Sequence, residues 1–533
     1  MKRRSFLLSA GAIGAATAAG MWRWQEIYPQ INAPGRIAGH YLRDHSRLPV
    51  PTEFIETEVA ILGSGIAGLT AGWKLRKEGL QNVLMVSGPE LYGNAASGNF
   101  GDLAYPTGAH YLPVPSVESF HVREILSDLG IILKNPNSER PYYDERFLLH
   151  APEERLLFNG RWQENLIPTE GVPQIELDEH RRYFNEIERL RQIRDASGKR
   201  IFALPSTFSS REPAWQELDK ISFKAWLEKN GYISPTLHWY LNYCCRDDFG
   251  ARYEHVSAWA GLHYFCSRAG KAENAESGAW LTWPGGLGPI AEKLATGVLR
   301  KDGTVYKLVN TASGVDVYCF VLDQGVPKTY IVRAKTAICA MPLMVASHVI
   351  PFIRDFGFDP QLHMPTYAPW LVANFLMNDF PVELPDAPLA WDNVVYQEPG
   401  LGFVVSTHQD IRRTPPAKTV FSSYVALSNL TPEAARRWMD KATPDELLDL
   451  AMADLKAAYG WEFSTYVERV DITLRAHAMP IPAPQFRSNV GLQSLRELTG
   501  SILFAHSDLS GFSVFEEASW WGYRAAQTIL KKG

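Results

Sequence analysis

Residues 58–86 read EVAILGSGIAGLTAGWKLRKEGLQNVLMV, and this segment predicts a strand, a helix and a second strand in succession. The apolar run 59–62 suits a buried strand, residues 66–78 carry a helical pattern, and 82–86 form another apolar run. Gly79 stands where a left-handed helix C-cap belongs. The pattern is typical of a βαβ unit.

The turn between the first strand and the helix has the spacing G-x-G-x-x-G, at Gly63, Gly65 and Gly68. The first glycine permits a tight turn, the second lets backbone approach a pyrophosphate, and the third lets the helix pack on the strand. Phosphates would lie at the helix N-terminus, where N–H groups and the helix dipole favour anions. A glycine-rich turn without a nucleotide is the alternative, which the flanking strands and helix disfavour. We therefore predict dinucleotide contacts at Gly63, Ser64, Gly65, Ile66, Ala67 and Gly68.

Length and composition indicate a globular protein of two or three domains. The chain has 533 residues, 46% of them hydrophobic and 21% charged, and its formal net charge is −5. This small charge argues against a nucleic-acid-binding surface. The cysteines are Cys244, Cys245, Cys266, Cys319 and Cys339. Because they are odd in number and lack a metal-binding spacing, we predict buried thiols, no metal site and no disulfide framework.

The first 22 residues, MKRRSFLLSAGAIGAATAAGMW, have the organisation of an export signal. A basic start precedes an Ala- and Gly-rich middle, and residues 16–18 form a candidate cleavage site. Arg3 and Arg4 resemble a twin-arginine signal, whose cargo crosses the membrane already folded. We expect a periplasmic protein. The alternative is an uncleaved N-terminal anchor, which would leave the bulk of the chain facing the same compartment, and no later apolar run approaches the roughly 20 residues needed to span a bilayer.

Three separate segments share a strand-rich character punctuated by glycines, and we predict that they form one nucleotide-binding domain. They are residues 54–103, 280–343 and 500–533. Their further predicted elements are strands at 305–309, 315–322, 328–332, 337–342 and 502–505, and an amphipathic stretch at 287–299. The intervening residues 104–279 and 344–499 are rich in Trp, Tyr and Pro. They predict a second domain inserted twice into the first.

Several short motifs follow the βαβ unit: GAHY at 108–111, RDDFG at 246–250, WPGG at 283–286, AICAMP at 337–342, WDNVVY at 391–396 and HSD at 506–508. Taken in this order, they resemble the FAD-dependent amine oxidase superfamily, which also includes phytoene-desaturase-like flavoproteins. The RDDFG, WDNVVY and HSD motifs are similar to those of bacterial spermidine-dehydrogenase-like proteins. The fold that this resemblance implies is α/β, a Rossmann-like FAD-binding domain (GR2-type flavoprotein) with an inserted α+β substrate domain.

The resemblance implies that the nucleotide is FAD, and it carries further contacts over residue by residue. Ser87 occupies the position of the acidic residue that binds the adenosine ribose, with Glu90 as the alternative. Ser507 and Asp508 match a terminal motif near the ribityl and pyrophosphate groups, although a helix N-cap is the alternative role of Asp508. The other implied contacts are Gly93, Asn94, Gly108, Ala109, His110, Tyr111 and Val305.

Amine oxidation by a flavin needs an unprotonated amine whose α-carbon faces the ring in a site that excludes water. Aromatic faces attract ammonium groups, so we expect aromatic walls around the substrate. The candidates are Trp370, Trp391, Trp283, Tyr367 and Tyr111. Ordinary core packing is the alternative for each of them.

Asp247 and Asp248 follow Arg246 at a predicted helix end, and either carboxylate is suited to a distal ammonium of a di- or polyamine. The alternative is an ion pair with Arg246 or a helix cap. The resemblance also places His477 on the substrate side of the flavin, as a substrate-binding or proton-relay group. A structural histidine is the alternative there. With Trp370, these residues form the predicted catalytic site.

Residues 368–375, APWLVANF, contain no lysine, whereas many amine oxidases place a lysine near flavin N5 through a water. This departure favours a dehydrogenase that passes electrons to a quinone or cytochrome. The expected reaction is oxidation of a small-molecule amine by hydride transfer to flavin N5, followed by imine hydrolysis. A carotenoid-type desaturase or isomerase and a non-catalytic, FAD-stabilised binding protein are the alternatives.

Overall fold

The structure is a computed structural model, and it describes residues 27–414 and 416–532. The predicted export signal at 1–22 lies outside the described residues. Two large sheets, one of seven strands and one of eight, organise this part of the chain. Among its helices, none is both long enough and apolar enough to cross a membrane.

The elements are numbered along the chain. The strands are β1 (Gln30–Asn32), β2 (Glu53–Leu62), β3 (Val83–Val86), β4 (Ser97–Phe100), β5 (Leu103–Pro106), β6 (Tyr111–Pro113), β7 (Ile132–Lys134), β8 (Tyr142–Tyr143), β9 (Glu154–Phe158), β10 (Arg161–Glu164), β11 (Trp280–Thr282), β12 (Leu299–Lys301), β13 (Thr304–Thr311), β14 (Gly314–Asp323), β15 (Val326–Cys339), β16 (Tyr367–Met377), β17 (Asp392–Val395), β18 (Phe403–Val405), β19 (Thr419–Ala426), β20 (Val467–Pro480) and β21 (Ile502–Phe504). The α-helices are α1 (Arg36–Arg43), α2 (Ile66–Lys77), α3 (Phe120–Asp128), α4 (Gln174–Gln192), α5 (Pro213–Gln216), α6 (Phe223–Lys229), α7 (Pro235–Phe249), α8 (Ala258–Ser267), α9 (Gly288–Ala295), α10 (Leu343–Val349), α11 (Pro360–His363), α12 (Pro432–Lys441), α13 (Pro444–Ala451), α14 (Ala453–Tyr459), α15 (Val490–Arg496) and α16 (Phe515–Leu530).

The seven-stranded sheet has the order β12-β3-β2-β15-β14-β13, with β21 also paired to β15. Its strands come from the three segments for which a nucleotide-binding domain was predicted. Residues 59–62 and 83–86 are buried throughout, as expected of parallel strands covered on both faces. Helix α2 packs against α16 so closely that a Cβ on Gly522 would lie 2.0 Å from the carbonyl oxygen of Ala67. The predicted βαβ unit is present, and Gly79 has the predicted left-handed conformation with φ of 95°.

The prediction of separate strands at 328–332 and 337–342 is wrong, because β15 is one continuous strand. Its N-terminal part pairs antiparallel with β14, and its C-terminal part pairs parallel with β21. Strand β2 pairs in parallel along residues 330–339 and spans the junction between these parts. Partners contributed by distant segments therefore keep the strand extended where the local sequence suggested a break.

The eight-stranded sheet has the order β1-β20-β16-β19-β18-β17-β9-β10. Successive residues of β16 face opposite sides of this sheet, as the period of a strand requires. Trp370 and Val372 pack in a cluster with side chains of α4, α6, α7 and α8, whereas Leu371 and Ala373 pack with side chains of α12, α13 and α14. The sheet is consequently covered by helices on both faces, and the first of these faces holds the site described below.

Two small pairings connect these large units. Strand β6, which begins at Tyr111, pairs antiparallel with β11, so residues 111–113 lie beside residues 280–282. Near the start of the described chain, β1 pairs in parallel with β20 of the eight-stranded sheet. The following helix α1 packs on the other sheet, where the rings of Tyr41 and Phe320 lie 5.3 Å apart. The segment before β2 therefore contacts both sheets.

Candidate functional site

The glycine-rich turn leaves an open space at the N-terminus of α2. Gly63 has φ of 116°, and a Cβ there would lie 2.8 Å from the carbonyl oxygen of Ala340. A Cβ on Gly68 would lie 2.1 Å from the carbonyl oxygen of Gly63. At Gly65, no atom of the described chain other than its sequence neighbours lies within 4 Å of the equivalent point. The middle glycine therefore faces free space beside the N–H groups of the first helical turn, which Ile66, Ala67 and Gly68 begin.

Ser87 lies beside this turn, but its hydroxyl is already hydrogen-bonded. Its Oγ donates to the carbonyl oxygen of Gly88 at 3.0 Å and accepts from the N–H of Gly303 at 3.3 Å. Its carbonyl oxygen accepts from the hydroxyl of Ser64 at 2.6 Å. Val305, two residues beyond Gly303, is buried in β13 at a shift in strand register. A ligand at this point would meet one remaining lone pair of Ser87 and the surrounding backbone.

Glu90, the alternative ribose contact, is held by Arg475 from β20. Nη1 and Nη2 of Arg475 donate to the two carboxylate oxygens of Glu90 at 2.8 and 3.0 Å. Nε donates to the carbonyl oxygen of Thr107 at 2.9 Å, and Nη2 donates to that of Gly93 at 3.4 Å. A Cβ on Gly93 would in turn lie 3.7 Å from Cα of Gly65. The ion pair thus holds the loop that covers the open space, and Glu90 is not available to a ribose in this arrangement.

Asp508 is buried and joins two elements. Its Oδ2 accepts from the hydroxyl of Tyr367 at 2.6 Å and from the N–H of Leu343, the first residue of α10, at 2.8 Å. Burial acts to raise the pKa of this carboxyl, but His506, Tyr367 and the Leu343 N–H together hold its pKa below the usual value. The alternative that Asp508 caps the following helix is wrong, because that helix begins at Phe515. The carboxylate instead satisfies the N-terminus of α10.

The second oxygen of Asp508 has no donor among the described residues. Nδ1 of His506 lies 3.1 Å from it, but the same nitrogen accepts a hydrogen bond from the backbone N–H of Asp508. A ring nitrogen that accepts a hydrogen bond cannot also donate one, so Oδ1 has no hydrogen-bond donor among the described residues. A buried carboxylate oxygen of this kind suits a ligand hydroxyl.

The loop 108–111 is braced on two sides. The N–H of Ala109 donates to the carbonyl oxygen of Asn94 at 2.8 Å, and a Cβ on Gly108 would lie 2.3 Å from that oxygen. On the other side, the N–H of Leu287 donates to the carbonyl oxygen of Ala109 at 3.1 Å. The close approach at Gly108 explains why this loop begins with glycine.

This loop forms one wall of a cavity that elements of both sheets enclose. The volume of the cavity is about 120 Å³. Asn94, residues 108–111 and residues 513–516 line one part, and the C-terminal end of α7 with strands β16 and β19 lines another. The structure therefore brings the predicted residues Asn94, Gly108, Ala109, His110 and Tyr111 to one cavity with Asp247, Asp248 and Trp370.

Aromatic side chains form much of the wall. Trp370 and Val372 lie on it from β16, and Tyr424 is the register partner of Val372 on β19. The rings of His110 and Tyr424 are 4.4 Å apart, and those of His110 and Tyr111 are 4.9 Å apart. The hydroxyl of Tyr424 and Nε1 of Trp370 are buried, and no group of the described chain bonds to either. These two atoms are therefore buried polar groups of the wall residues that have no hydrogen-bond partner in the described chain.

The other predicted aromatic walls lie elsewhere. Trp391 packs behind His110, with the two rings 5.5 Å apart. Tyr367 is occupied by its hydrogen bond to Asp508, and Trp283 is buried in the core beneath the seven-stranded sheet. Of the five aromatic candidates, the cavity thus receives Trp370 and Tyr111 directly.

Asp247 and Asp248 occupy the last turn of α7, which Gly250 ends with φ of 64°. Asp248 forms an ion pair with Arg268, and that side chain of Asp248 is 7% exposed. Asp247 accepts one long hydrogen bond, at 3.5 Å from the hydroxyl of Tyr111. Within the described residues, Asp247 has no ion pair. The two adjacent carboxylates therefore differ in that only Asp248 is neutralised.

The predicted alternative of an ion pair between Arg246 and either aspartate is wrong. Arg246 donates to the carbonyl oxygen of Gly400 and to the hydroxyl of Ser428, both at 3.2 Å. Successive side chains of a helix diverge by about 100°, so Arg246 leaves the helix on a different side from Asp247.

Burial raises the pKa of Asp247 to about 7, an effect that Asp248 increases and Arg268 opposes. Burial also raises the pKa of Glu516 to about 7, against the attraction of Arg268. Glu516 lines the same cavity and is 2% exposed. The other guanidinium on the wall belongs to Arg475, which is already paired. The cavity carries more carboxylates than free cations and therefore favours a positively charged ligand.

His477 does not lie on the cavity wall. It is exposed on β20, and its ring lies 6.0 Å from that of Tyr367. The next residues, Ala478 and Met479, line the cavity instead. This placement favours the structural alternative for His477 over a role in binding or proton relay.

The cavity also contains residues that sequence reasoning did not identify, namely Arg268, Tyr424, Arg475 and Glu516. Each comes from a different element, and no local spacing connects it to a predicted motif. Glu516 follows the terminal HSD motif, and this proximity was the one available signal.

Comparisons with known proteins agree with this architecture. The profile of the NAD(P)-binding Rossmann-like domain matches residues 61–129. No curated protein sequence matches the chain significantly. The chain therefore carries a Rossmann-like dinucleotide-binding domain, as residues 58–86 predicted.

Solved structures share the overall fold. Wild-type putrescine oxidase bound to putrescine superimposes with a TM-score of 0.62 at 16% identity, covering 90% of this chain and all of the other. For cyclohexylamine oxidase from Brevibacterium oxydans IH-35A the TM-score is 0.60 at 17% identity, with 89% and 99% covered. For a CLA-producing fatty acid isomerase from P. acnes it is 0.58 at 15%, with 88% and 98% covered. The predicted fold, a Rossmann-like domain combined with a second domain, is confirmed.

Proposed function

We propose that this protein is an FAD-dependent oxidoreductase that oxidises an amine. The observation that carries the proposal is Asp247, a half-buried carboxylate without an ion pair among the described residues, on an aromatic cavity wall. An ammonium group would supply the missing positive charge, and the rings of Trp370, Tyr424 and Tyr111 would surround it. Putrescine oxidase and cyclohexylamine oxidase, two structures of the same fold, are named for amines, which supports this choice.

The residues present fit FAD. The open space at Gly65, beside the N-terminus of α2, suits a pyrophosphate, because a side chain would occupy it and none does. The unsatisfied Oδ1 of Asp508 suits a hydroxyl of the ribityl chain. The braced loop 108–111 would support the ring system. Ser87 offers less to the ribose than a free carboxylate would, so we expect the backbone around Gly303 to contribute there.

Bound FAD would supply the acceptor for the hydride that leaves the α-carbon of the amine. The chain would bind and orient the substrate. Asp247 would hold a charged nitrogen, and the aromatic wall would exclude water. Burial lowers the pKa of His110 to about 3, so this ring stays neutral and adds no charge that would repel a cation.

The substrate class we propose is a di- or polyamine, with Asp247 binding the ammonium distal to the reacting carbon. Asp248 is less suited to this role because Arg268 already neutralises it. The similarity of RDDFG to the motif of spermidine-dehydrogenase-like proteins supports a polyamine. We further propose a quinone or cytochrome as electron acceptor, on the absence of lysine from residues 368–375, and export to the periplasm through the leader.

A second candidate is isomerisation or desaturation of a long apolar substrate. The shared fold of the fatty acid isomerase favours it. Such a substrate would place apolar carbon against Asp247 and Glu516, and desolvating these carboxylates without an ion-pair partner is unfavourable. Amine oxidation is therefore the function that the cavity supports better.

The experiment that separates these functions is anaerobic bleaching of the flavin absorbance. The purified protein would be mixed with mono-, di- and polyamines, alcohols and polyenes, and the cofactor released by acid would be identified. We expect FAD and bleaching by amines. A different released cofactor would overturn the FAD assignment, and bleaching by polyenes but not by amines would favour the second candidate.

A further inference from the structure

Glu516 is a buried carboxylate that the proposed function does not yet use. It lies in the first turn of α16, immediately after residues 513–515, which line the cavity with it. The carboxylate accepts a hydrogen bond from its own backbone N–H, and the backbone carbonyl accepts from His121 at 2.9 Å. At 2% exposure, water is largely excluded from the side chain. Glu516 is therefore an acid on the cavity wall that has no ion pair within the described residues.

The charged neighbours of Glu516 overlap with those of Asp247. Arg268, Asp248 and Glu517 act on the pKa of Glu516, and Arg268 and Asp248 also act on that of Asp247. Arg268 is committed to Asp248 and to the carbonyl oxygen of Tyr264, which it contacts at 3.1 Å. Arg268 also has an Nε without an acceptor in the described part of the chain. Because Arg268 is paired with Asp248, it leaves the carboxylate of Glu516 without an ion pair and free to accept a proton.

The chemistry of amine oxidation requires such a proton loss. Aliphatic ammonium groups have pKa values of about 10 in water, so the substrate arrives protonated near neutral pH. An ammonium carries no lone pair to assist departure of hydride from its α-carbon. The reacting nitrogen must therefore be deprotonated inside the cavity, and the anchor Asp247 is needed at the other nitrogen.

We propose that Glu516 is the base that takes the proton from the reacting ammonium, an inference that rests on the proposed amine oxidation. The ionised carboxylate accepts one proton from R–CH₂–NH₃⁺, which leaves neutral R–CH₂–NH₂ and neutral Glu516. One positive and one negative charge disappear together, which a site closed to water favours. Burial and Asp248 raise the pKa of Glu516 to about 7, close to the value that suits a base at neutral pH.

The test is the pH dependence of anaerobic flavin reduction by a saturating diamine, measured by stopped flow in holoenzyme between pH 6 and 9.5. In Glu516→Gln we expect a rate at pH 7 about 100-fold below wild type, with an unchanged apparent Kd for the diamine. The loss should shrink as pH rises, because free amine then replaces the missing base. Glu516→Asp keeps a carboxyl group and should retain part of the rate with the wild-type pH profile.

The matched control is Glu517→Gln, the same change one residue along. The Glu517 carboxylate accepts from Ser206 and Ser510 and does not line the cavity, so Glu517→Gln should keep the base and nearly the wild-type rate at pH 7. Its pH profile should move slightly to lower pH, because Glu517 acts to raise the pKa of Glu516. A wild-type rate in Glu516→Gln, a loss equal at every pH, or a loss of affinity alone would overturn the proposal. If Glu516→Gln does not fold, Glu516→Asp decides: its displaced carboxylate should slow flavin reduction at pH 7 without changing the apparent Kd, and a wild-type rate or a loss of affinity alone in this variant would overturn the proposal. If no amine reduces the flavin of the wild-type protein, the proposed amine oxidation is wrong, and the inference about Glu516 is wrong with it.

Discussion

Arg475 and Glu90 form a two-point ion pair at 2.8 and 3.0 Å that joins the long strand β20 to the loop after β3. The two side chains are 8% and 22% exposed. Because the same loop packs over Gly65, the pair connects the eight-stranded sheet to the open space at the N-terminus of α2. This partly buried ion pair thus connects the two sheets at the space where we propose that a dinucleotide binds.

Arg475→Met should lower the free energy of unfolding by about 2–4 kcal/mol and weaken retention of FAD, because it leaves a largely buried carboxylate unpaired. Thermal unfolding and the ratio of flavin to protein after gel filtration would measure both effects. Lys418→Met breaks the exposed pair with Glu468 and should cost less than about 1 kcal/mol. Equal destabilisation of the two variants would contradict a structural role for the buried pair.

Gly65→Val should fold but fail to bind FAD. A Cβ at Gly65 meets no neighbouring atom of the described chain, so the side chain would displace a ligand and leave the protein packing intact. Gly68→Val should fail to fold, because its Cβ would lie 2.1 Å from the carbonyl oxygen of Gly63. Circular dichroism and flavin absorbance would distinguish the two. Yellow Gly65→Val protein with normal FAD content would show that the cofactor lies elsewhere.

Asp247→Asn should weaken binding of diamines about thirtyfold or more and leave monoamines of equal chain length nearly unaffected. The reason is that Asp247 is the carboxylate on this helix end without a described cation. Asp248→Asn should instead lower stability and affect both substrates, because it leaves Arg268 buried and unpaired. Apparent Kd from flavin reduction, with thermal unfolding in parallel, tests this contrast. Equal losses on the two substrates in Asp247→Asn would rule out the anchor.

The affinity for a diamine should rise with pH between 5 and 7. The pKa of Asp247 is raised to about 7, chiefly by burial, and a cation binds its ionised form. Below that pKa each pH unit should cost about tenfold in apparent affinity, with a plateau above it. Asp247→Asn should lose this part of the dependence. A wild-type affinity that stays constant from pH 5 to 8 would contradict the raised pKa.

The contribution of Asp247 to the free energy of unfolding of the substrate-free protein should fall as pH rises, whereas the affinity for a diamine should increase. For an acid whose folded-state pKa is raised, the folded state binds the proton more tightly than the unfolded chain does. The resulting stabilisation is present below the unfolded pKa of about 4 and is lost as pH rises through 7. Asp247→Asn should therefore melt higher than wild type at pH 8 and gain less at pH 5. If the melting temperatures of Asp247→Asn and wild type differed by the same amount at every pH, the prediction that Asp247 titrates in this range would be wrong.

Replacing both Arg3 and Arg4 by lysine should retain the protein in the cytoplasm, because the twin-arginine signal is recognised as an address and not as bulk charge. Fractionation of cells that express the wild type and this double variant from the same promoter would measure the distribution. Periplasmic delivery of the double variant at the wild-type level would rule out this export route.

Local sequence was sufficient for the βαβ unit. The helix predicted at 66–78 is Ile66–Lys77, because its period, its glycines and its cap act within a few residues of one another. Local sequence was insufficient at β15, where the neighbouring strand β14 and two distant strands, β2 and β21, keep the chain extended across the predicted break. The same limit applied to Glu90: its distance from Ser87 along the chain suggested a ribose contact, whereas its actual partner comes from β20.

What the sequence by itself determined is therefore the dinucleotide-binding turn, the class of fold and the residue types from which an amine site is built. Tertiary structure decided which of them meet. In the folded protein Arg268 pairs with Asp248, and Asp247 has no ion pair among the described residues. Arg246 points away from both aspartates, and Glu516 lies on the wall of the same cavity. The physical reason is that the hydrogen bonds of a turn or helix, and the hydrophobic periodicity, depend on residues close together in the sequence. Burial and charge pairing instead depend on atoms brought together from distant segments.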